Sequence, residues 1–473
     1  MRPTRRVLLA ALALAVAAGA PAAAVAAKPI GIAERFHTKC WVHGIAIAPG
    51  GGAWFGCVEY SVNEPARAKV GRVTANGKVT EFSGPFPKKS GPGPVATAAD
   101  GNFWVVIETA GETQLARVTP TGEVKLFPLP SGSGYIAELV AAPSDYLWFA
   151  TAEGFEDKNP AIWQISPTGA ISKTAVPLSS GKLPGLTIGA DGNLWFADGG
   201  EGIQAPLSRL TPSGELTQPA DQSPGFGARR PTKPAASLVG GAALGAEGNL
   251  FYGLQSDRQS AIGRLAPTGT TTEFSDCLTY GQPYFGPETL ALGAEGNLWF
   301  TSLAERSTPN ISDPPSIGMI TPSGQITQIF AGISLEPKWI ATGPEGGAWF
   351  SGGFDEIQRI KPPQGKVNTF HVGKLTGVRR NGSALLPVKV PSAGRLKVKP
   401  VALLVGKKER KVPISGPTAK AKASACGTPQ VRLKLSGEAL RRLRQKNQVL
   451  ERVAVTFTPT GGTPYTEEAK LHF

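Results

Sequence analysis

Few residues in this 473-residue chain are equipped for chemistry, with only four His and four Cys among 59 Gly and 42 Pro. Histidine is the side chain most readily used as an acid or base near neutral pH, so catalysis of that kind has few carriers here. His37, Cys40, His43 and Cys57 lie close together. A zinc reading of that group fails, because Cys-x2-His and Cys-x16-Cys match no familiar ligand spacing. No Gly-x-Ser-x-Gly elbow, His-Glu-x-x-His helix or Walker loop occurs. Disulfide chemistry suits the cysteines better. Cys40 precedes a strand-like run and Cys57 follows its hairpin partner. Antiparallel pairing brings those two ends to one rim, so a Cys40–Cys57 bond is geometrically reasonable. Cys277 and Cys426 cannot be paired from sequence.

The elements that carry these residues are set by a repeat. A Leu-Trp-Phe phrase or a close variant recurs with its leading aromatic at 54, 104, 148, 195, 251, 299 and 349. The gaps run from 44 to 56 residues, the period of a β-propeller blade. A second phrase follows each copy, as in Ile262-Gly263-Arg264-Leu265 and Leu207-Ser208-Arg209-Leu210-Thr211-Pro212-Ser213-Gly214. Each unit therefore reads as four strands. A small-residue inner strand comes first, then the aromatic strand, then Ile-Gly-Arg-Leu. A Thr-Pro-Ser-Gly turn then leads to an alternating outer strand such as Val79-Thr80-Glu81-Phe82. The Trp residues are expected to pack between blades. Closure has two candidates, because both Ile32–Phe36 and Lys366–Phe370 read as outer strands. One is redundant.

The ends differ from the middle. Arg2, Arg5 and Arg6, the apolar run Val7–Ala18 and the small residues around Ala26 read as a secretion signal. It would be residues 1–27, cleaved near Ala26 or Ala27, with Thr4-Arg5-Arg6 a weak hint of twin-arginine export. From Lys374 onward there are 21 Lys and Arg against five Glu, a net of +16, while residues 28–373 carry about −5. That asymmetry marks a domain boundary: a propeller over 28–373 and a basic module over 374–473. The tail has strand-like runs at 385–390, 396–405, 431–435, 453–457 and 469–473, with a short helix over 438–445 behind Ser436. The expected fold is all-β: a seven-bladed β-propeller followed by a small immunoglobulin-like β-sandwich. The tail's charge would attract an anionic cell-envelope polymer. Nucleic acid is not expected, since no aromatics interleave the basic residues.

The repeat Gly-x-Asp/Glu-Gly-Asn-Leu-Trp-Phe, followed by Ile-Gly-Arg-Leu-Thr-Pro-Ser-Gly-x-Ile-Thr-Glu-Phe, resembles the virginiamycin B lyase (streptogramin lyase) family over about residues 40–372. The resemblance implies a seven-bladed propeller with a ligand site around its central channel. It also implies a His base and a carboxylate-held Mg²⁺ that open a cyclic lactone by elimination. The family's active blade reads Pro-His-x-Ile, with a Glu fourteen residues after the His. Here only His43 matches the His, and Cys57 stands fourteen residues on. The other blades place Gly93, Ala137, Pro184, Gly240, Glu288 and Lys338 at the His position. At the Glu position they have Ile107, Thr151, Asp198, Leu254, Ser302 and Gly352, so no blade holds both partners.

By that register Trp41, His43, Asp198, Glu288, Lys338 and Trp339 lie near the channel mouth and would bind a small polar ligand. Glu288 and Lys338, on neighbouring blades, could instead pair with each other. The expected protein is thus an exported, monomeric, non-catalytic binding protein near the cell envelope, with no cofactor and no membrane span. The alternative is a lyase or lactonase, with His43 as base and Mg²⁺ near Asp198.

Overall fold

In the computed structural model the aromatic phrases form the second strands of seven four-stranded antiparallel sheets. The structure describes residues 33–473 except 49, 62–63, 131–134, 143–145, 153–160, 167, 175–185, 190, 198–206, 218–236, 246–247, 256–259, 267, 269, 275–286, 294–295, 303–315, 330–336, 353, 364–365, 406–407, 411–418 and 425–426. The proposed leader, Pro184, Asp198, Cys277 and Cys426 therefore lie outside the described residues. Among those described, no helix is long and apolar enough to cross a membrane. Blade one contains Trp41–Ile47, Ala53–Glu59, Arg67–Val73 and Val79–Phe82. The inner strands of successive sheets are neighbours in a closed cycle, and that of blade seven, Ile340–Thr342, returns to Trp41–Ile47.

The repeated phrases are cross-strand partners. In blade one Trp54 faces Arg72 and Phe55 faces Gly71. The Arg72 guanidinium sits 5.6 Å from the Trp54 ring, and Arg359 sits 4.8 Å from Trp349. Stacked Arg–Trp pairs of this kind hold neighbouring strands together by cation–π attraction. The glycine leaves room for a ring. A Cβ on Gly71 would lie 2.1 Å from Phe55, and one on Gly318 would lie 1.9 Å from Phe300. The core lies between blades: Ala46, Trp54 and Val70 of blade one cluster with Phe103, Val105 and Ala116 of blade two.

The ring is closed by the N-terminal strand. Glu34–His37 pairs antiparallel with Glu356–Ile360 and supplies the outer strand of blade seven. Phe36 stacks on Trp349 with centroids 5.4 Å apart. Glu34 accepts from Arg359 Nε at 2.8 Å and from Lys361 Nζ at 2.9 Å. Burial alone would raise the Glu34 pKa, but hydrogen bonds from Lys361 and Arg359 outweigh it and hold the carboxyl below its usual value. The second candidate, Lys366–Phe370, forms no strand. Val367 packs in the core between blades six and seven, whereas Phe370 enters the core of the tail. His371–Val372 pairs with the tail strand Ser383–Lys389. The chain thus leaves the propeller where the sequence alone reads a further blade strand, because Glu34–His37 already occupies that edge.

In the tail, Lys408–Arg410, Gly394–Val405, Leu450–Pro459 and Tyr465–His472 form one sheet, with Ala419–Ala423 also beside Gly394–Val405. A smaller sheet holds His371–Val372, Ser383–Lys389 and Gln430–Lys434. Both share one apolar core with Ala439 and Leu443 of the helix Gly437–Lys446. Ser436 stands at the helix N-cap without a side-chain capping bond. The final strand begins at Tyr465, earlier than its apolar residues indicate, because Thr466 and Glu468 occupy its outer face.

Candidate functional site

His43 lies at an irregularity of its own strand. Val42 pairs with Cys57 and Gly44 with Gly56, and the register shifts between them. The equivalent strands of blades two, three, five and six shift at the same place, around Gly93, Ala137, Gly240 and Glu288. A β-bulge re-aims a side chain that regular alternation would direct elsewhere, and bulges are common beside active sites. The position aligned on the lyase histidine is thus a structural feature of five blades. Small residues let the blades close up around it: a Cβ on Gly44 would come within 3.0 Å of Val95 in blade two.

His43 is half-buried. Burial first, and then the Lys338 ammonium, push its imidazole below the usual pKa. The ring is therefore neutral near pH 7, the form able to accept a proton or a hydrogen bond. Lys338 is exposed, and its backbone is fixed by bonds from its N–H to Ser351 Oγ at 3.2 Å and from Thr289 Oγ1 to its carbonyl at 3.0 Å. Trp339 donates its N–H to the same Ser351 Oγ at 3.3 Å. The half-buried Trp339 ring packs against the cluster that includes Cys40, Val42, Phe55 and Cys57.

Cys40 and Cys57 form a disulfide with a Cα–Cα distance of 5.6 Å, and both are buried. The sulfur at the position of the family's carboxylate is therefore spent on a structural bond. The structure describes the backbone of Glu288 in Pro287–Leu292 but not its side chain. Among the described residues no three His, Cys, Asp or Glu side chains gather as a metal site. The only described charge acting on His43 is cationic. Mg²⁺ requires oxygen ligands in octahedral array, usually carboxylates and waters. The donors described around His43 do not fit it.

Two aromatics that sequence reasoning missed complete the rim. The Trp41 ring lies 4.4 Å from Phe354 and 4.5 Å from Tyr60, centroid to centroid. The three are 42%, 60% and 56% exposed, an apolar ledge spanning blades seven and one. Backbone bonds hold it together: Val42 N–H donates to the Phe354 carbonyl at 2.7 Å and Thr38 N–H to that of Asp355 at 2.9 Å. Tyr60 and Phe354 each lie just past an aromatic second strand, but at different distances from it, so no repeated position in the sequence points to them. Glu108 was missed too. It follows Ile107 in blade two, burial raises its pKa, and its Oε1 is buried without a hydrogen bond.

At the opposite ends of the inner strands a hollow of about 690 Å³ is lined by small residues of blades two to four together with Ile188, Asp191 and Leu244. Asp191 is already engaged with Asn193, Trp195 and Arg209.

A closed cycle of four-stranded blades defines the class: this is a β-propeller protein. Residues 27–222 match the model of the Virginiamycin B lyase family, and the propeller is virginiamycin B lyase-like. Among solved structures, selenomethionine-substituted virginiamycin B lyase from Staphylococcus aureus is similar at 22% identity and a TM-score of 0.51, covering 70% of this chain and 99% of its own. A catalytically inactive variant of that enzyme with quinupristin is similar at 22% identity and a TM-score of 0.52, with the same coverage. A streptogramin B lyase structure is similar at 21% identity and a TM-score of 0.50, covering 69% of this chain and 96% of its own. At these identities the likeness is one of fold. No curated protein matches the chain.

Proposed function

We propose that the propeller is an exported, non-catalytic binding protein that holds a small ligand at the seam of blades seven and one. The observation that carries this reading is the Cys40–Cys57 disulfide at the place where the lyase pattern needs a carboxylate. Among the described residues the charge acting on His43 is the Lys338 cation, which disfavours both a divalent metal and a developing imidazolium. The same groups suit recognition. Trp41, Phe354 and Tyr60 offer an exposed apolar face of mutually tilted rings, Lys338 a positive charge, and His43 a neutral hydrogen-bonding ring. The matching ligand has an apolar or sugar face and one anionic group. Export is supported by the N-terminal pattern and by the disulfide, which persists in oxidising compartments.

One observation favours the second reading, a lactone-opening enzyme: a neutral, half-buried His43 is in the state a general base requires. The two separate on quinupristin, the compound named with the lyase structure. Chromatography of quinupristin incubated with the protein and Mg²⁺ should show no ring opening. Opening that disappears in His43→Ala would overturn the binding-protein reading.

A further inference from the structure

The outer face of the larger tail sheet carries two rows of cations that its own pairing brings together. Arg395 lies directly opposite Lys422, and Lys397 directly opposite Lys420. On the other side of the same strand, Arg395 pairs with Thr458 and Lys397 with Thr456. These six side chains line one groove of about 700 Å³, and all four cations are exposed. Like charges placed directly opposite across strands disfavour the sheet. Lysines on an edge strand protect against unwanted pairing, which accounts for Lys420 and Lys422 but not for Arg395 and Lys397 on the inner strand.

No described carboxylate relieves the rows. Glu438 is engaged by Arg441 and Arg442 on the helix, and Glu468 by Arg452 at 3.4 Å. Glu451 is buried, and Glu467 shares its strand face with the core-packed Tyr465 and Ala469. Among the described residues the charge is therefore left for something outside the chain.

We infer that this groove binds an acidic polysaccharide, laid across the strands with its carboxylates on Arg395, Lys397, Lys420 and Lys422 and its hydroxyls toward Thr456 and Thr458. Side chains two apart along a strand are roughly 7 Å apart, and neighbouring strands about 4.8 Å apart, so the cations form a lattice on the scale of successive charged sugars. The threonines distinguish a glycan from a bare polyphosphate: the Thr458 hydroxyl, and the bonding capacity left to a Thr456 hydroxyl that already meets Thr466 Oγ1 at 2.7 Å, match sugar hydroxyls. No aromatic side chain lines the groove to stack bases or to insert into a lipid surface.

The test uses the full chain and alginate, a soluble polyuronate, with binding followed by calorimetry or interferometry at low and moderate salt. Alginate should bind, and neutral dextran should not. Replacing all four cations, Arg395→Gln, Lys397→Gln, Lys420→Gln and Lys422→Gln, should weaken binding at least tenfold and flatten its salt dependence. The same change at Arg441, Arg444 and Lys446 on the helix should alter it less than twofold. The four-fold variant should melt no lower than the parent, since repulsion is relieved. Lys420→Gln alone, expected to weaken binding about threefold, serves if the four-fold variant does not fold. Undiminished alginate binding by these variants would overturn the inference. So would tighter binding to duplex DNA, polyphosphate or anionic phosphatidylglycerol vesicles than to alginate.

Discussion

Glu451 shows how one side chain can set a pH limit on this protein. It is 2% exposed on the strand Leu450–Pro459, and burial raises its pKa from 4.5 to about 7. A carboxyl that titrates higher in the folded than in the unfolded chain contributes stability that is full below the unfolded value. That stability is lost as pH rises through the folded one. The tail should therefore unfold at lower temperature at pH 8 than at pH 5. Glu451→Gln, which keeps the shape and removes the charge, should abolish most of that difference in calorimetry. Nothing in the sequence distinguishes Glu451 from the surface acids around it. At the same scale, the importance of Trp54 and Gly71 was legible from repetition, because each recurs at a fixed place in its phrase. Tyr60 and Phe354 do not recur, and only their meeting around Trp41 makes them a site.

Among the elements, the first inner hairpin depends on its covalent staple. The disulfide joins residues 17 apart at one end of Trp41–Ile47 and Ala53–Glu59. Replacing both cysteines, Cys40→Ser with Cys57→Ser, should cost about 3 kcal/mol, the usual value for a loop of that length. The shift of the denaturant midpoint measures it. Loosening this end should also weaken whatever rests on Trp41 and His43, because both side chains stand beside the staple. The hairpin and its turn signals could be read from the sequence, as could the suitability of Cys40 and Cys57 as partners. The bulge at His43 could not. A bulge is a shift in the pairing of two strands, and that pairing exists only once the sheet is assembled.

For the whole molecule, closure is the critical event. A propeller without its last outer strand leaves an open sheet edge, and here Glu34–His37 fills it. Removing residues 33–38 should lower and broaden the calorimetric unfolding of the propeller while leaving the tail's transition in place. Arg359→Ala should act in the same direction to a smaller degree. Because the Glu34 carboxyl is held below its usual value, its contribution is present above about pH 4.5 and lost as pH falls through the folded value. Mild acid should therefore loosen the parent's ring, and Arg359→Ala should blunt that response.

The blades are legible from the residues alone, since each is a local four-strand unit written in cross-strand partners, and so is the charge contrast between propeller and tail. The sequence also places His43 and Cys57 in the register of a known active site. Which end closes the ring is settled by assembly of the fold, because two segments have equal strand character and one edge is available. Assembly alone places the cations of the tail in facing rows and leaves no described carboxylate beside His43. Those outcomes depend on contacts between residues far apart in the chain, and no local pattern records them.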